Sequence, residues 1–251
     1  PSLFSPSGID AILAGVRARM PVPPGTEVTL EANPGTFEAQ KFAEFRDAGI
    51  NRLSIGIQSF NPEHLRALGR VHDDSEAHRA VEIGLATIGN INLDLMYALP
   101  GQSLAQAEAD LRTALAYAPP HLSAYHLTLE PNTLFARHPP TLPDDESAAD
   151  MQDAIQLLLA ESGYGHYETS AYEQPGRECR HNRNYWEFGD YLGIGAGAHS
   201  KLSLPDRSSA RSATSSRSSI STWSRRERRC SRSTTCRAQT SASSSCSTRC
   251  A

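Results

Sequence analysis

Short apolar runs alternate with amphipathic stretches along residues 1–204, and the two periods can be told apart. Ile9, Ile12, Leu13 and Val16 recur at helical spacing after a loop-like opening, so a helix is expected there. Glu27 to Ala32, EVTLEA, reads as a strand that delivers Glu31 near its C-terminal end. Thr36 is expected to cap a following helix that carries Phe42 and Phe45 and stops at Gly49. Leu53 to Gln58 is a second strand, β-branched and apolar with Gly56 inside it. The Asn61-Pro62 start and Gly69 stop mark a short helix, with Arg70 just beyond.

The same alternation continues. Ser75 is expected to cap a helix with Ala77, Val81, Leu85 and Ile88 on one side, and Gly89-Asn90 leads into the strand Ile91 to Tyr97, INLDLMY. Ser103 with Gln106 forms a capping box for a helix bearing Leu104, Leu111 and Leu115. His121 to Leu129 reads as a strand, and a Pro-rich loop from Pro131 to Pro143 follows it. A long helix with Met151, Ile155, Leu158 and Leu159 inward comes next, stopped by Gly163. Tyr164 to Ala171 reads as a further strand, and the Gly-rich Tyr191 to Ala198 as a strand or strand-turn. Strands alternating with helices imply right-handed βαβ units and a parallel sheet. The fold class is α/β. An open or partial barrel suits this run of units better than a two-sided sheet, although periodicity alone does not separate them; either architecture gathers ligands at the C-terminal strand ends.

Composition changes this picture only near the end of the chain. From Arg207 to Ala251 there are ten arginines, no lysine and a single acid, Glu227. The formal net charge of −4 therefore averages an acidic body and a basic tail, and argues for no partner. Residues 205–251 are expected to form a low-complexity Ser/Arg tail without regular structure, because too little apolar surface is available to offset the ordering entropy. A phosphate-binding tail and an out-of-frame translation of GC-rich coding sequence both fit that composition, the second better; nucleic acid is not expected as a partner. The body has one cysteine, Cys179, which excludes a disulfide framework and suits a cytoplasmic protein. No apolar run approaches the length of a membrane span.

Three polar groups fall at strand ends: Glu31, Gln58 and Asp94, with Arg70 beside them. Any one of them alone is more readily a loop cap than a ligand contact. Together they offer two carboxylates, an amide and a guanidinium, which suits a zwitterionic amino acid carrying a sugar, since an ammonium needs an anion and a carboxylate matches the Arg fork. Glu31 and Asp94 acting as general acid and base in a barrel of another kind is a weaker reading. The Gly-rich YLGIGAGAHS is not a dinucleotide fingerprint, since no helix with a ribose-binding acid follows it.

The stretches LEANPGT, RLSIGIQSFNPEHLRALGRVH, INLDLMYALPGQ, LSAYHLTLEPNT, RHNRNYW and YLGIGAGAHS resemble, in order and spacing, the radical SAM family of oxygen-independent coproporphyrinogen III oxidase-like proteins, and within it the haem chaperone branch. The resemblance covers about residues 1–204. It implies a partial parallel (β/α)6 barrel with S-adenosylmethionine (SAM) across the strand C-termini. Glu31 would hold the methionyl ammonium, Arg70 the carboxylate, and Gln58 and Asp94 the ribose hydroxyls, with His126 in contact. His181 and His199 also fall in its motifs. It further implies a 4Fe-4S cluster in the intact parent, haem as cargo, and haem acceptor proteins as partners; the alternative is a porphyrinogen-oxidising enzyme.

The family's CxxxCxxC cluster motif does not occur in this sequence, and Pro1-Ser2 looks like the end of the GGGTPS segment that follows it. The resemblance therefore implies a fragment lacking its first strand and cluster loop, without radical chemistry of its own. No cysteine occupies the cluster position: Cys179 follows the Tyr164 to Ala171 strand, and the spacings Cys230 to Cys236 and Cys246 to Cys250 lie in the tail and support neither zinc nor iron.

Overall fold

The computed structural model describes residues 2–36, 38–204, 207–212 and 233–237. Contacts divide the chain into two compact units, Pro1–Arg180 and His181–Ala251. In the first, the predicted alternation produces α1 (Pro6–Arg17), β1 (Thr29–Ala32), α2 (Ala39–Ala48), β2 (Arg52–Gln58), α3 (Pro62–Ala67), α4 (Asp74–Thr87), β3 (Ile91–Tyr97), α5 (Leu104–Ala116), β4 (His121–His126), α6 (Leu134–Arg137), α7 (Asp145–Glu161), β5 (Gly165–Glu168) and β6 (Ala171–Glu173). The strands form one sheet in the order β1-β2-β3-β4-β6-β5. β1 to β4 run parallel, as βαβ units require, and β1 and β5 are its edges among the described residues.

Alternation along the parallel strands sorts side chains onto two faces. Leu30, Leu53, Ile55, Ile91, Leu93 and Leu122 lie in the core with Phe42, Phe45, Val81, Leu111, Met151 and Leu159 from the helices. Phe42 and Phe45 meet edge to face, with ring centroids 5.4 Å apart. Helix α4 approaches the sheet closely at Gly84, where a Cβ would lie 3.0 Å from Ile55 and 3.4 Å from Ile91. The other face of the parallel strands is polar, and β3 turns Asn92 and Asp94 toward it.

Several local expectations are corrected. Thr36 does not cap α2; its hydroxyl donates to the Asn33 carbonyl at 2.7 Å and lies 2.9 Å from the Ser2 hydroxyl, closing a 3-10 turn over Pro34–Thr36. Asp73, not Ser75, caps α4, because Asp73 forms a complete capping box with Glu76 while the Ser75 hydroxyl merely donates to Asp73. The Ser103–Gln106 box of α5 is present as expected. β4 stops at His126, short of Leu129. The expected strand Tyr164 to Ala171 is split into β5 and β6, an antiparallel hairpin bent where Glu168 accepts from the Ser170 backbone and hydroxyl. β6 then pairs antiparallel with β4, so the sheet is mixed.

The helix α8 (Arg180–Trp186) straddles the boundary between the units, and β7 (His199–Leu204), β8 (Arg207–Ser212) and β9 (Ser233–Arg237) form a three-stranded antiparallel sheet in the second. The Gly-rich run before β7 is a turn, not a strand: Gly195 and Gly197 have φ of +103° and +75°, and only Tyr191 makes a bridge, to Lys201. Two stretches of the Ser/Arg tail, expected to lack regular structure, are thus strands, joined by antiparallel backbone pairing. The rest of that expectation falls on residues outside those described. No helix among the described residues is long and apolar enough to cross a membrane.

Candidate functional site

Strand register sets the polar row. Glu31 on β1 stands opposite Ser54 on β2, and Asp94 on β3 opposite Ser123 on β4. Ser54 Oγ donates to Asp94 Oδ2 at 2.9 Å, and Asn92 Nδ2 donates to Asp94 Oδ1 at 2.8 Å and to Ser54 Oγ at 2.8 Å. Burial pushes the Asp94 carboxyl above its ordinary pKa, opposed by these two donors; Glu31 raises it further and Arg52 lowers it.

Arg70 is delivered by a helix end. Gly69, at φ +68°, lets its N–H reach the Arg66 carbonyl while the Arg70 N–H reaches the Leu65 carbonyl, a Schellman closure of α3. The Arg70 side chain is half-buried, and desolvation lowers its pKa while the nearby Asp94 raises it. Glu31 is exposed. Among the described residues, no salt bridge or side-chain hydrogen bond engages either Glu31 or Arg70.

Gln58 terminates β2 at a break in its register with β3, has φ of +68°, and is buried. A positive φ is disfavoured for a side chain of this kind. Its amide lies over Gly56, where a Cβ would come within 2.9 Å of Gln58 Nε2 and 3.3 Å of Asn33 Oδ1. The glycine inside the strand makes room for that amide.

The structure therefore brings Glu31, Asp94 and Arg70 into electrostatic contact, with Gln58 at the end of the strand between β1 and β3. His126 stands apart. Register places it beside Tyr97, whose ring it meets at 5.4 Å, on the row opposite to that of Asp94. Tyr125 is the β4 residue that feels Asp94: burial raises its pKa first, and the Asp94 charge adds to this. Sequence reasoning missed Tyr125, Ser54 and Asn92, although their even spacing with Gln58 and Asp94 along neighbouring strands was a readable signal.

Residues 1–114 match the model of the Radical SAM superfamily. The chain is 53% identical over 208 residues to the "Heme chaperone HemW" of Escherichia coli, covering 82% of this chain and 55% of that protein. It belongs to the radical SAM superfamily. A HemW of Haemophilus influenzae is 50% identical over 206 residues, with 82% of this chain and 54% of that protein covered. The chain thus spans about half the length of these curated relatives. Among solved structures, coproporphyrinogen III oxidase (HemN) from Escherichia coli, described as a radical SAM enzyme, superposes with a TM-score of 0.72 at 21% identity, over 86% of this chain and 52% of that one. This likeness is one of fold. Radical SAM membership implies SAM and a 4Fe-4S cluster as the cofactors of the superfamily. Only two cysteines, Cys179 and Cys236, fall among the described residues, too few for a cluster held by three or more thiolates.

Proposed function

We propose that the polar row is a SAM grip and that the protein to which this chain corresponds is a SAM- and cluster-dependent haem chaperone, which binds haem and passes it to acceptor proteins in the cytoplasm. The observation that carries the grip is the pair of charges, Glu31 and Arg70, without a salt bridge or side-chain hydrogen bond among the described residues, beside an Asp94 carboxylate already held by two donors. In this reading Glu31 takes the methionyl ammonium and Arg70 its carboxylate in a two-pronged contact. Asp94 and Gln58 accept from and donate to the ribose hydroxyls, whereas His126, on the opposite row, takes no part in the grip. When a cluster is bound, the superfamily's chemistry is reductive cleavage of SAM. This chain's residues only bind and orient it, and the chain by itself is expected to do no radical chemistry.

The high identity to HemW relatives supports the chaperone over the alternative, an oxygen-independent coproporphyrinogen III oxidase, which is favoured only by likeness of fold. Two measurements test the proposal. SAM titrated into the chain by calorimetry should bind, and Glu31→Gln together with Arg70→Ala should abolish the heat; unchanged binding in the double variant sinks the grip. For the longer parent, haem uptake and transfer without coproporphyrinogen oxidation is expected after cluster reconstitution, and oxidation of coproporphyrinogen III with SAM and dithionite would instead establish the oxidase.

A further inference from the structure

Asp94 is the near end of a longer chain of hydrogen bonds across the polar face. Asn92 spends both amide hydrogens on Ser54 and Asp94, so its Oδ1 is an acceptor. His121 Nδ1 lies 2.6 Å from that oxygen and must therefore carry a proton. His121 Nε2 lies 2.7 Å from the Tyr167 hydroxyl, and the Cys179 backbone N–H donates to that same hydroxyl at 3.2 Å. With Nδ1 carrying the proton, Nε2 of the neutral ring is the acceptor and the Tyr167 hydroxyl donates to it. Ser123 Oγ also donates to Asn92 Oδ1, at 3.1 Å. Every donor in the series Cys179 N–H, Tyr167, His121, Asn92, Ser54 thus points toward the Asp94 carboxylate. His121 and Asn92 are 1% and 2% exposed, so neither can exchange its partner for water without cost.

We infer that Asn92, His121 and Tyr167 are positioning residues, a one-way hydrogen-bond chain that fixes the rotamer of Asp94 and keeps it ionised for hydroxyl recognition. The recognition half of this inference rests on the SAM reading above; the half that concerns Asp94 itself does not. The polarity of the chain explains why an aspartate that burial would neutralise is nonetheless usable as an acceptor. His121 does not touch the ligand. It fixes which way the Asn92 amide faces, because a reversed amide would set an N–H against the His121 N–H and turn its carbonyl on the carboxylate.

The groups that also face Asp94 are Glu31 on β1, Arg52 on β2, Arg70 beyond α3 and Tyr125 on β4, with Glu168 on β5 behind Tyr125. None of them changes in the test. The Asp94 side-chain carboxyl is titrated by carbon NMR in the 251-residue chain and in four variants. Asn92→Ala should raise its midpoint by about one pH unit, and His121→Ala should move it by a smaller amount in the same direction. His121→Asn, whose amide places an N–H where Nδ1 stood, should restore the wild-type midpoint, and nitrogen shifts of wild-type His121 should report the neutral Nδ1–H tautomer. Coinciding midpoints in wild type and His121→Ala, or a wild-type Nε2–H tautomer, overturn the inference. Should His121→Ala fail to fold, Tyr167→Phe at the more accessible end reads the same shift, and its absence there overturns the inference equally. In parallel, S-adenosylhomocysteine and its 2′-deoxy and 3′-deoxy analogues are titrated by calorimetry. Wild type should prefer the intact ribose about tenfold, and His121→Ala should lose that preference while His121→Asn keeps it. A purely structural role would lower all three affinities together. A wild type indifferent to the ribose hydroxyls defeats the SAM reading alone, since the carboxyl titration still decides the role of the chain.

Discussion

Asp94 carries a conflict between stability and binding. Its folded-state pKa is raised by burial above the ordinary carboxylate value. A raised carboxyl pKa stabilises the fold at pH below the unfolded value, and that contribution is lost as pH rises through the folded pKa. In its ionised form Asp94 is therefore a net cost to folding. Asp94→Asn is expected to leave the melting temperature at pH 7 unchanged or higher, while SAM affinity falls about tenfold; differential scanning calorimetry and isothermal titration on the same samples would check both. A matched fall in stability and affinity would mean that Asp94 is simply structural. Ligand affinity should also weaken on acidification through the raised pKa, since the protonated acid accepts less well from a hydroxyl.

The elements that present the site are held by turns, and two of these turns make a controlled comparison. Gly69 and Gly163 both end helices in Schellman closures, at φ +68° and +81°, and in each a Cβ would meet no atom within 4 Å. Substituting alanine at either should cost about 1 kcal/mol through backbone conformation alone. Only Gly69→Ala should also weaken SAM binding, because only that turn aims Arg70. At Gly84 the constraint is packing: Gly84→Leu would drive its side chain into Ile55 and Ile91 and should destabilise the sheet by about 1–3 kcal/mol, read from the denaturation midpoint.

For the whole chain, the distribution of apolar burial is the governing fact. Among the described residues the core cluster runs from Ile9 to Tyr172, within the first unit. Truncation after Arg180 should leave a cooperatively unfolding protein whose melting temperature lies within a few degrees of the parent's; loss of cooperativity in circular dichroism would contradict this. The same burial explains what could be read from the sequence. Periods of 3.6 and 2 report which face meets the core, so the strand and helix series from α1 to α7 was legible except for α6, a single turn inside the stretch read as a Pro-rich loop. Hairpin formation by β5 and β6 was not, because its signal is a bend stabilised by Glu168 on Ser170, and tail strands β8 and β9 carry no apolar period at all.

The candidate site divides in the same way. Sequence by itself placed Glu31 and Gln58 near strand ends and Arg70 just past a helix, since strand boundaries and turn residues are local properties, and motif spacing pointed to the family; Asp94, expected at a strand end, lies in the middle of β3. Tertiary structure alone decided which of them meet. Register between separate strands sets Ser54 against Asp94, aligns Asn92 with His121, and turns His126 toward Tyr97 while Tyr125 faces Asp94. Pairing across a sheet depends on which strand lies beside which, and no local period encodes that. The RLSIGIQSF strand and the turn that follows it supply Gln58 and Arg70 from local chemistry, but their meaning as half of a grip comes from β1 and β3 on either side of β2.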